Sequence, residues 1–232
     1  MALQDDIKKR ANEIFGTTFT ERQGRKVPTP AEVAQGNAAV ELNPATVLYG
    51  DLTGSTALVN GYKWWFAAQV YKAYLYCAAR IVNAEDGWIT SYDGDRIMGV
   101  FIGDSQCDQA IRAALKINWA VINIVNPAIK EKWPDNAYPV SQVVGIDKSV
   151  IRAVNAGARG DNDIVWVGPA ANLAAKLTER KERRTWITKA VYDAASQNCK
   201  VGGTEKKSMW ISDTWPEQAD ATIYGSGWTW SV

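Results

Sequence analysis

After residue 45, the spacing of apolar residues changes repeatedly between the period of a strand and that of a helix, and this alternation limits the possible folds. A β-rich strand at 46–49 comes first, followed by a long helix at 64–84 whose apolar residues recur every three or four positions. Short strands at 88–92 and 97–102 come next, and the Asp-Gly pair between them favours a hairpin turn. The pattern therefore begins as a strand, a helix and a hairpin.

The second half of the chain continues the alternation. Ser105 is placed to cap a helix that runs to about residue 125 and stops before Pro127. Further strands are predicted at 140–146, 150–154 and 185–188, with a helix at 169–178 and a strand-like tail at 222–230. The order β-α-β-β-α-β, continued by αβ units, predicts one α+β domain with helices flanking a mostly antiparallel sheet.

Residues 1–43 differ from the rest of the chain. Residues 5–15 predict a short amphipathic helix with Ile7, Ala11 and Ile14 on one side. The polar stretch that follows has little to bury, so an ordered arm and a disordered extension are both open. We divide the chain into an N-terminal helix and arm at 1–43 and a main domain at 44–232.

The chain contains no histidine. This excludes catalytic arrangements that need an imidazole base, and it removes the common zinc sites. Any catalysis would use carboxylates, Lys or Arg side chains, hydroxyls, backbone dipoles or metals bound by oxygen, and Mg²⁺ or Mn²⁺ suit that set of ligands.

Charge and targeting features predict a soluble, cytoplasmic protein. The formal net charge is +1, which gives no electrostatic reason to expect nucleic acid or an anionic membrane as a partner. No apolar run is long enough to span a bilayer, and the N-terminus lacks the apolar stretch of a signal peptide. The three cysteines show no CxxC spacing, which suits a reducing compartment.

The first candidate site segment follows the strand at 46–49, which leads to Asp51. A turn of small residues comes next, before a helix: Thr53, Gly54, Ser55 and Thr56. Such a turn presents successive backbone N–H groups, which can bind phosphate oxygens. By itself the segment is more typical of an ordinary strand-turn-helix connection than of a phosphate site.

The second segment is the hairpin tip, which carries Asp93 and Asp95. Two aspartates at the ends of neighbouring strands, here Asp51 and Asp95, can meet at one sheet edge and hold a pair of cations. In the third segment, Asn172 and Lys176 are four residues apart and share a helix face. That face can offer an amide and a cation to a ribose and a phosphate.

These three segments, in this order, resemble the catalytic domain of the class III nucleotidyl cyclases over about residues 45–190. They read VLYGDLTGSTAL, GWITSYDGDRIMGVF and GPAANLAAKL. The resemblance implies the class III cyclase fold, with 44–232 as the catalytic domain. It also implies two divalent cations per site, Mn²⁺ or Mg²⁺, and a head-to-tail homodimer with shared active sites.

The resemblance assigns roles to individual residues. Asp51 and Asp95 would be metal ligands, assisted by the Leu52 carbonyl, and the turn at 53–56 would bind the triphosphate. Asn172 would orient the ribose. The charge that stabilises the transition state comes from an Arg in the family, and this chain has Lys176 instead. Arg180, one turn further on, is the alternative.

Base selection departs from the purine cyclases. Ser91 and Val165 stand where the family has purine-selecting residues. Tyr49 lies two residues before Asp51 on the same strand face, so its ring would narrow the base pocket and favour a pyrimidine. Arg96 is a pure donor and fits the two carbonyls of uracil if it faces the base; contact with the triphosphate is the alternative.

This pattern is similar to that of the Pycsar pyrimidine cyclases of bacterial anti-phage defence. The resemblance implies conversion of UTP to 3′,5′-cyclic UMP and pyrophosphate, a second messenger for a separate effector. Cyclic CMP synthesis and a non-catalytic nucleotide-binding module are the alternatives. Palm-type polymerases and diguanylate cyclases also use two strand-end carboxylates, but a GGDEF-like hairpin is missing. The basic run at 180–184 is interpreted as a solvated helix end.

Overall fold

The computed structural model describes residues 2–135, 138–158 and 161–232. Its helices are α1 (Leu3–Gly16), α2 (Ser55–Gly61), α3 (Trp64–Ala84), α4 (Gln106–Ala120), α5 (Asn126–Lys132), α6 (Pro169–Leu177) and α7 (Lys189–Ala194). Its strands are β1 (Thr20–Gln23), β2 (Ala38–Leu52), β3 (Trp88–Asp93), β4 (Arg96–Phe101), β5 (Gln142–Ala158), β6 (Asp161–Val167), β7 (Thr185–Thr188), β8 (Val201–Gly202), β9 (Lys207–Ser208), β10 (Ile211–Trp215) and β11 (Ala221–Ser226). Strands and helices thus alternate, as the apolar spacing predicts.

Within the described residues, nine strands form one sheet. Strands β10, β11, β7, β5, β2, β4 and β3 follow one another across it. Strand β1 pairs with the start of β2, and β6 pairs with the end of β5. The β1–β2 and β5–β7 pairs are parallel and the other described pairs are antiparallel. The predicted α+β class with a mostly antiparallel sheet is confirmed.

The two faces of the sheet are covered by different helices because side chains alternate along each strand. On β2, Leu48 and Leu52 belong to the core that includes α3 and α4. Val47 faces the other way and packs in the cluster that includes Ala170 and Ala174 of α6. Residues near the end of β2 therefore lie between two helical layers, at an edge that the helices leave partly open.

Helix α6 packs directly on β5, and Gly145 makes this possible. A Cβ atom at Gly145 would lie 2.1 Å from the carbonyl oxygen of Ala174 and 2.7 Å from the Cβ of Leu177. Gly145 also pairs with Tyr49 of β2. The last turn of α6 is therefore held close to the strand position that precedes Asp51.

The strands β2 and β5 are longer than predicted, and the predicted break between 140–146 and 150–154 is wrong. Asp147 and Lys148 lie in the predicted gap between the two strands. Asp147 is instead buried, and it accepts hydrogen bonds from Ser149 at 2.6 Å and from Thr188 at 2.6 Å. Because this carboxylate is satisfied inside the fold, β5 continues without a turn.

The helix predicted to stop before Pro127 continues to Lys132, so that prediction is wrong. A π-helical turn at Val121–Val125 separates α4 from α5. Pro127 then lies in the first turn of α5, where its missing N–H costs no helical hydrogen bond. Ser105 is the N-cap residue of α4 as predicted, but its side chain makes no capping hydrogen bond.

The N-terminal arm is ordered rather than an unpaired extension. Strand β1 pairs with β2, and the arm buries Val27 and Val33 against the sheet. Helix α1 is different, because none of its residues is buried. The predicted boundary between residues 43 and 44 falls inside β2, at an irregularity between Leu42 and Ala45, and the division there stays a prediction.

The tail is a strand only as far as Ser226, where β11 ends, so the predicted strand to residue 230 is too long. Beyond it, the Nδ2 atom of Asn118 donates to the Trp228 carbonyl at 3.0 Å, and the Trp230 amide donates to Leu115 at 3.2 Å. These bonds fasten the tail to α4 instead of the sheet. In the described parts of the chain, no helix has the length and apolar character needed to cross a membrane.

Candidate active site

Asp51 lies next to the last residue of β2 and is held by two cations of its own chain. Its register partner on β4 is Arg96, whose Nε lies 3.3 Å from Oδ1. The Nζ of Lys181 lies 3.7 Å from Oδ2. The side chain of Asp51 is 14% exposed, so the carboxylate sits at an accessible edge while remaining largely shielded.

Asp95 lies beside Asp51 because of the β3–β4 hairpin. The turn residue Gly94 has a φ of 60°, which a glycine adopts without strain, and Asp95 follows it. Since Asp51 pairs with Arg96, the neighbouring Asp95 is brought to the same end of the sheet. Its Oδ2 atom is buried and has no hydrogen-bond partner among the described residues. The two aspartates predicted to act together are therefore brought together.

The chemistry of these residues fits a divalent cation. A buried carboxylate oxygen without a partner is costly, and a bound cation would satisfy it. Thr53 supplies a second buried oxygen, Oγ1, that lacks a partner among the described residues. Leu52, whose carbonyl the family resemblance assigns to the metal, ends β2 between Asp51 and Thr53. The described residues contain no group of three or more acidic, Cys or His ligands, so backbone or substrate oxygens would complete the coordination.

The turn at 53–56 leads from β2 into α2. Gly54 caps α2 with a φ of 77°, and open space lies where its Cβ would be. The amide of Thr53 donates to the Ser141 carbonyl at 2.8 Å, so this N–H already has an acceptor and is not available to a phosphate. The N–H groups of Ser55 and Thr56 lie in the first helical turn, where they have no acceptor within the helix.

The predicted base-pocket residues Tyr49, Arg96 and Ser91 lie on β2, β4 and β3 near the Asp51 end. Tyr49 is half-buried and pairs with Met98 of β4. Burial raises the pKa of Tyr49, while the positive charge of Arg96 opposes the increase and Asp93 adds to it. Tyr49 and Arg96 therefore lie near each other, and Arg96 is engaged by Asp51 in this structure.

Val165 lies far from Asp51 in the same chain. Val165 pairs with Val154, which is eleven residues further along β5 than Val143, the partner of Asp51. At about 3.3 Å per residue, that separation is about 35 Å. Asn172 is exposed on α6, and no hydrogen bond joins it to either aspartate among the described residues. A single copy of the chain does not assemble all of the predicted site.

Lys176 and Arg180 differ in how they are engaged. Arg180 forms an ion pair with Asp213 at 2.7 Å, and its guanidinium lies 4.7 Å from the centre of the Trp186 ring. Lys176 is exposed on the same side of α6 as Asn172. Of the two alternatives, Lys176 is the one without an ion pair in the described part of the chain, so its charge can meet a ligand from another copy.

Sequence reasoning missed two features of the site. Lys181 was interpreted as part of a solvated helix end, yet it contacts Asp51. The phenol side chains of Tyr71, Tyr74 and Tyr138 also lie near Asp95, whose charge adds to the effect of burial in raising the pKa of each. The spacing of 71 and 74 on one helix face was visible, but a tyrosine on such a face is more often part of the core.

Comparison with curated proteins finds similar chains over their full length. The chain is 43% identical over 233 residues to a uridylate cyclase of Xanthomonas perforans and 46% identical over 234 residues to one of Burkholderia cepacia. Each alignment covers 100% of both chains. A uridylate cyclase of Rhodovulum sp. is 31% identical, with 98% of this chain and 97% of that protein aligned. No family model matches the chain.

An adenylyl cyclase and a guanylyl cyclase are among the solved structures with the same fold. The adenylyl cyclase CyaB of P. aeruginosa superposes with a TM-score of 0.67 over 81% of this chain and 95% of its own, at 17% identity. The guanylyl cyclase Cya2 superposes with a TM-score of 0.68 over 82% of this chain and 94% of its own, at 18% identity. At these identities the likeness concerns the fold, which is that of a cyclase catalytic domain.

Proposed function

The chain belongs to the uridylate cyclases, and on that premise we propose that it converts UTP to 3′,5′-cyclic UMP and pyrophosphate. The ribose 3′-oxygen would attack the α-phosphorus, the bond from that phosphorus to the β-phosphate oxygen would break, and the 3′-hydroxyl proton would be released. The observation that carries the proposal is the meeting of Asp51 and Asp95 at one end of the sheet.

Asp51, Asp95 and the Leu52 carbonyl would hold two divalent cations, Mn²⁺ or Mg²⁺. When bound, such cations supply the positive charge that activates the attacking hydroxyl and neutralises the leaving pyrophosphate. The unsatisfied Oδ2 of Asp95 supports this assignment, since it is a buried acceptor that lacks a partner among the described residues.

Residues around the aspartates would bind the triphosphate. The N–H groups at the start of α2 point away from the helix and can donate to phosphate oxygens. Lys181 is 44% exposed and lies beside Asp51, so its ammonium group can reach an anion bound at the same place. Lys181 would then act as a point charge toward the triphosphate, in addition to the residues predicted from the sequence.

Tyr49 would limit the base to a pyrimidine. Tyr49 is half-buried on β2, and its ring packs against the cluster that contains Val47 and Met98. A ring held by packing narrows a pocket more effectively than a mobile one. Arg96 would select uracil through its donors if nucleotide and cations drew it away from Asp51. Ser91 on β3 pairs with Met98, two residues along β4 from Arg96.

The complete site would form between two copies in a head-to-tail homodimer. Asn172 and Lys176 would come from the second copy, the first to orient the ribose and the second to stabilise the developing charge. Their exposure on α6 supports this arrangement. The distance of Val165 from Asp51 along β5 supports it too. In a single copy, Val165 and Asp51 are too far apart to contact the base and the phosphates of the same nucleotide.

The proposed reaction is tested with the purified protein, Mn²⁺ and each of ATP, GTP, CTP and UTP in turn. We expect cyclic UMP and pyrophosphate in equal amounts, with UTP turned over fastest, measured by chromatography and mass spectrometry. Faster formation of cyclic CMP would move the assignment to a cytidylate cyclase. Absence of any cyclic product would favour a nucleotide-binding module without activity.

Replacement of Tyr49 by alanine should weaken discrimination against purines. Removing the ring enlarges the pocket, and a difference in shape of this kind is worth about 10- to 200-fold in specificity. The measurement is kcat/KM for UTP, ATP and GTP. Tyr49→Phe is the matched control and should keep the preference for UTP, because it retains the ring and loses only the hydroxyl. If both variants lose selectivity equally, the hydroxyl rather than the ring selects the base.

A role in signalling follows from the proposed product. Cyclic UMP would act on a separate effector that binds cyclic nucleotides, and the resemblance to Pycsar cyclases supports a function in bacterial anti-phage defence. A location in the cytoplasm agrees with that role and stays a prediction.

A further inference from the structure

Tyr74 differs from the other tyrosines near Asp95. It lies on α3 with 0% of its surface exposed, and its hydroxyl has no hydrogen-bond partner among the described residues. Tyr71 is only partly buried and has a hydrogen bond with Ser55. A fully buried hydroxyl without a partner destabilises the fold and is rare in native proteins. It therefore needs an explanation in the function of the site.

The hydroxyl of Tyr74 reaches the end of β2 because of a glycine. A Cβ atom at Gly50 would lie 2.7 Å from Oη of Tyr74, so any other residue would displace the phenol. Gly50 precedes Asp51, and the phenol oxygen thus lies under the strand position next to the proposed metal ligand. Burial, together with the negative charges of Asp51 and Asp95, raises the pKa of Tyr74, so the phenol keeps its proton and has an O–H to donate.

Asp95, in the turn that leads into β4, offers a matching acceptor. Ile97 belongs to the core that contains Tyr74, and the charge of Asp95, two residues earlier, is one of those that raise the pKa of the Tyr74 phenol, so this carboxylate lies near it. The Oδ2 of Asp95 is buried without a partner among the described residues, as is the phenol oxygen. A buried donor and a buried acceptor thus stand unsatisfied near the proposed cation site.

We propose that Tyr74 is a positioning residue whose hydroxyl donates to the Asp95 carboxylate, directly or through one water, when Asp51 and Asp95 bind a divalent cation. The inference rests on the proposed function, because it assumes that the two aspartates hold the cation. Partners that orient metal ligands through hydrogen bonds raise the affinity for the metal. Tyr74 would do so from beneath the strand without touching the substrate.

The test is Tyr74→Phe, which removes the hydroxyl and keeps the packing of the ring. The dissociation constant for Mn²⁺, measured from the electron paramagnetic resonance signal of the free ion, should rise about 10- to 100-fold. Cyclase activity at limiting Mn²⁺ should fall and should return at saturating Mn²⁺. Tyr192→Phe is the control, since Tyr192 stacks on Tyr224 at 3.8 Å, and it should leave the Mn²⁺ affinity unchanged.

The melting temperature without cations separates positioning from structural support. Tyr74→Phe should leave it unchanged or raise it, because the lost hydroxyl has no partner in the absence of cations. A lower melting temperature would make the role structural and overturn the inference. Equal Mn²⁺ affinity of Tyr74→Phe and the wild-type protein would overturn it and leave the cation site standing. Failure of the wild-type protein to bind Mn²⁺ would overturn the cation site and this inference together.

Discussion

Asp51→Ala and Asp95→Ala should each lower cyclic nucleotide formation on the order of a thousandfold, since each removes a ligand of the proposed cation site. The fold should survive both changes. Asp95→Ala removes a carboxylate with an unsatisfied buried oxygen, so it should not destabilise the protein. Asp51→Ala leaves Arg96 and Lys181 without their shared partner, but both are partly exposed, and the loss should be within about 1 kcal/mol.

Turnover of UTP and thermal unfolding are measured on the same preparations. Asp93→Ala is the matched control, because Asp93 is exposed at the same hairpin and is not a proposed ligand. It should keep most of the activity. If folded Asp51→Ala or Asp95→Ala turns over UTP within about tenfold of the wild-type rate, these residues are not ligands of a cation that stabilises the transition state.

Mixing Asp51→Ala with Asn172→Ala should restore activity that neither variant has alone. In a head-to-tail dimer, the mixed pair contains one site with an intact Asp51 from one copy and an intact Asn172 from the other. If subunits exchange freely, half of the dimers are mixed and each has one working site, so the mixture should recover about a quarter of wild-type activity.

A second mixture provides the control for this experiment. Asp51 and Asp95 come from the same copy, so mixing Asp51→Ala with Asp95→Ala repairs neither site. Activity should therefore stay absent in that mixture after the same exchange. Rescue in both mixtures, or in neither, would argue against sites shared between subunits. Size-exclusion chromatography with light scattering checks that each variant is still a dimer.

The sequence was most informative where structure is set by neighbouring residues. The apolar spacing of Trp64–Ala84 predicted α3 with its bounds, and the Asp-Gly pair predicted the hairpin that carries Asp95. Asp51 and Asp95 are brought together by this hairpin and by the pairing of β2 with β4. Local residue preferences and simple strand-pairing rules determine these features, so the order of the residues is enough to predict them.

The sequence pattern did not predict contacts between residues that are far apart along the chain. The continuation of β5 depends on Thr188, which satisfies Asp147 from another strand. The contact of Lys181 with Asp51 joins residues 130 positions apart in the sequence, and a basic run gives no sign of it. The buried hydroxyl of Tyr74 resembles core packing in the sequence, because only the fold shows that Gly50 lies above it.

The two ion pairs of Asp51 would make binding of the proposed cation an exchange of counterions rather than the addition of a missing one. Arg96 and Lys181 already neutralise the charge of this carboxylate in the folded chain. A divalent cation would therefore have to displace them or bind the carboxylate beside them. Folding would then be independent of the metal supply, while turnover would follow it. Displacement would also release Arg96 and Lys181, whose side chains carry several hydrogen-bond donors. These donors would become available to an anionic substrate when the cation binds, so cation binding would favour substrate binding.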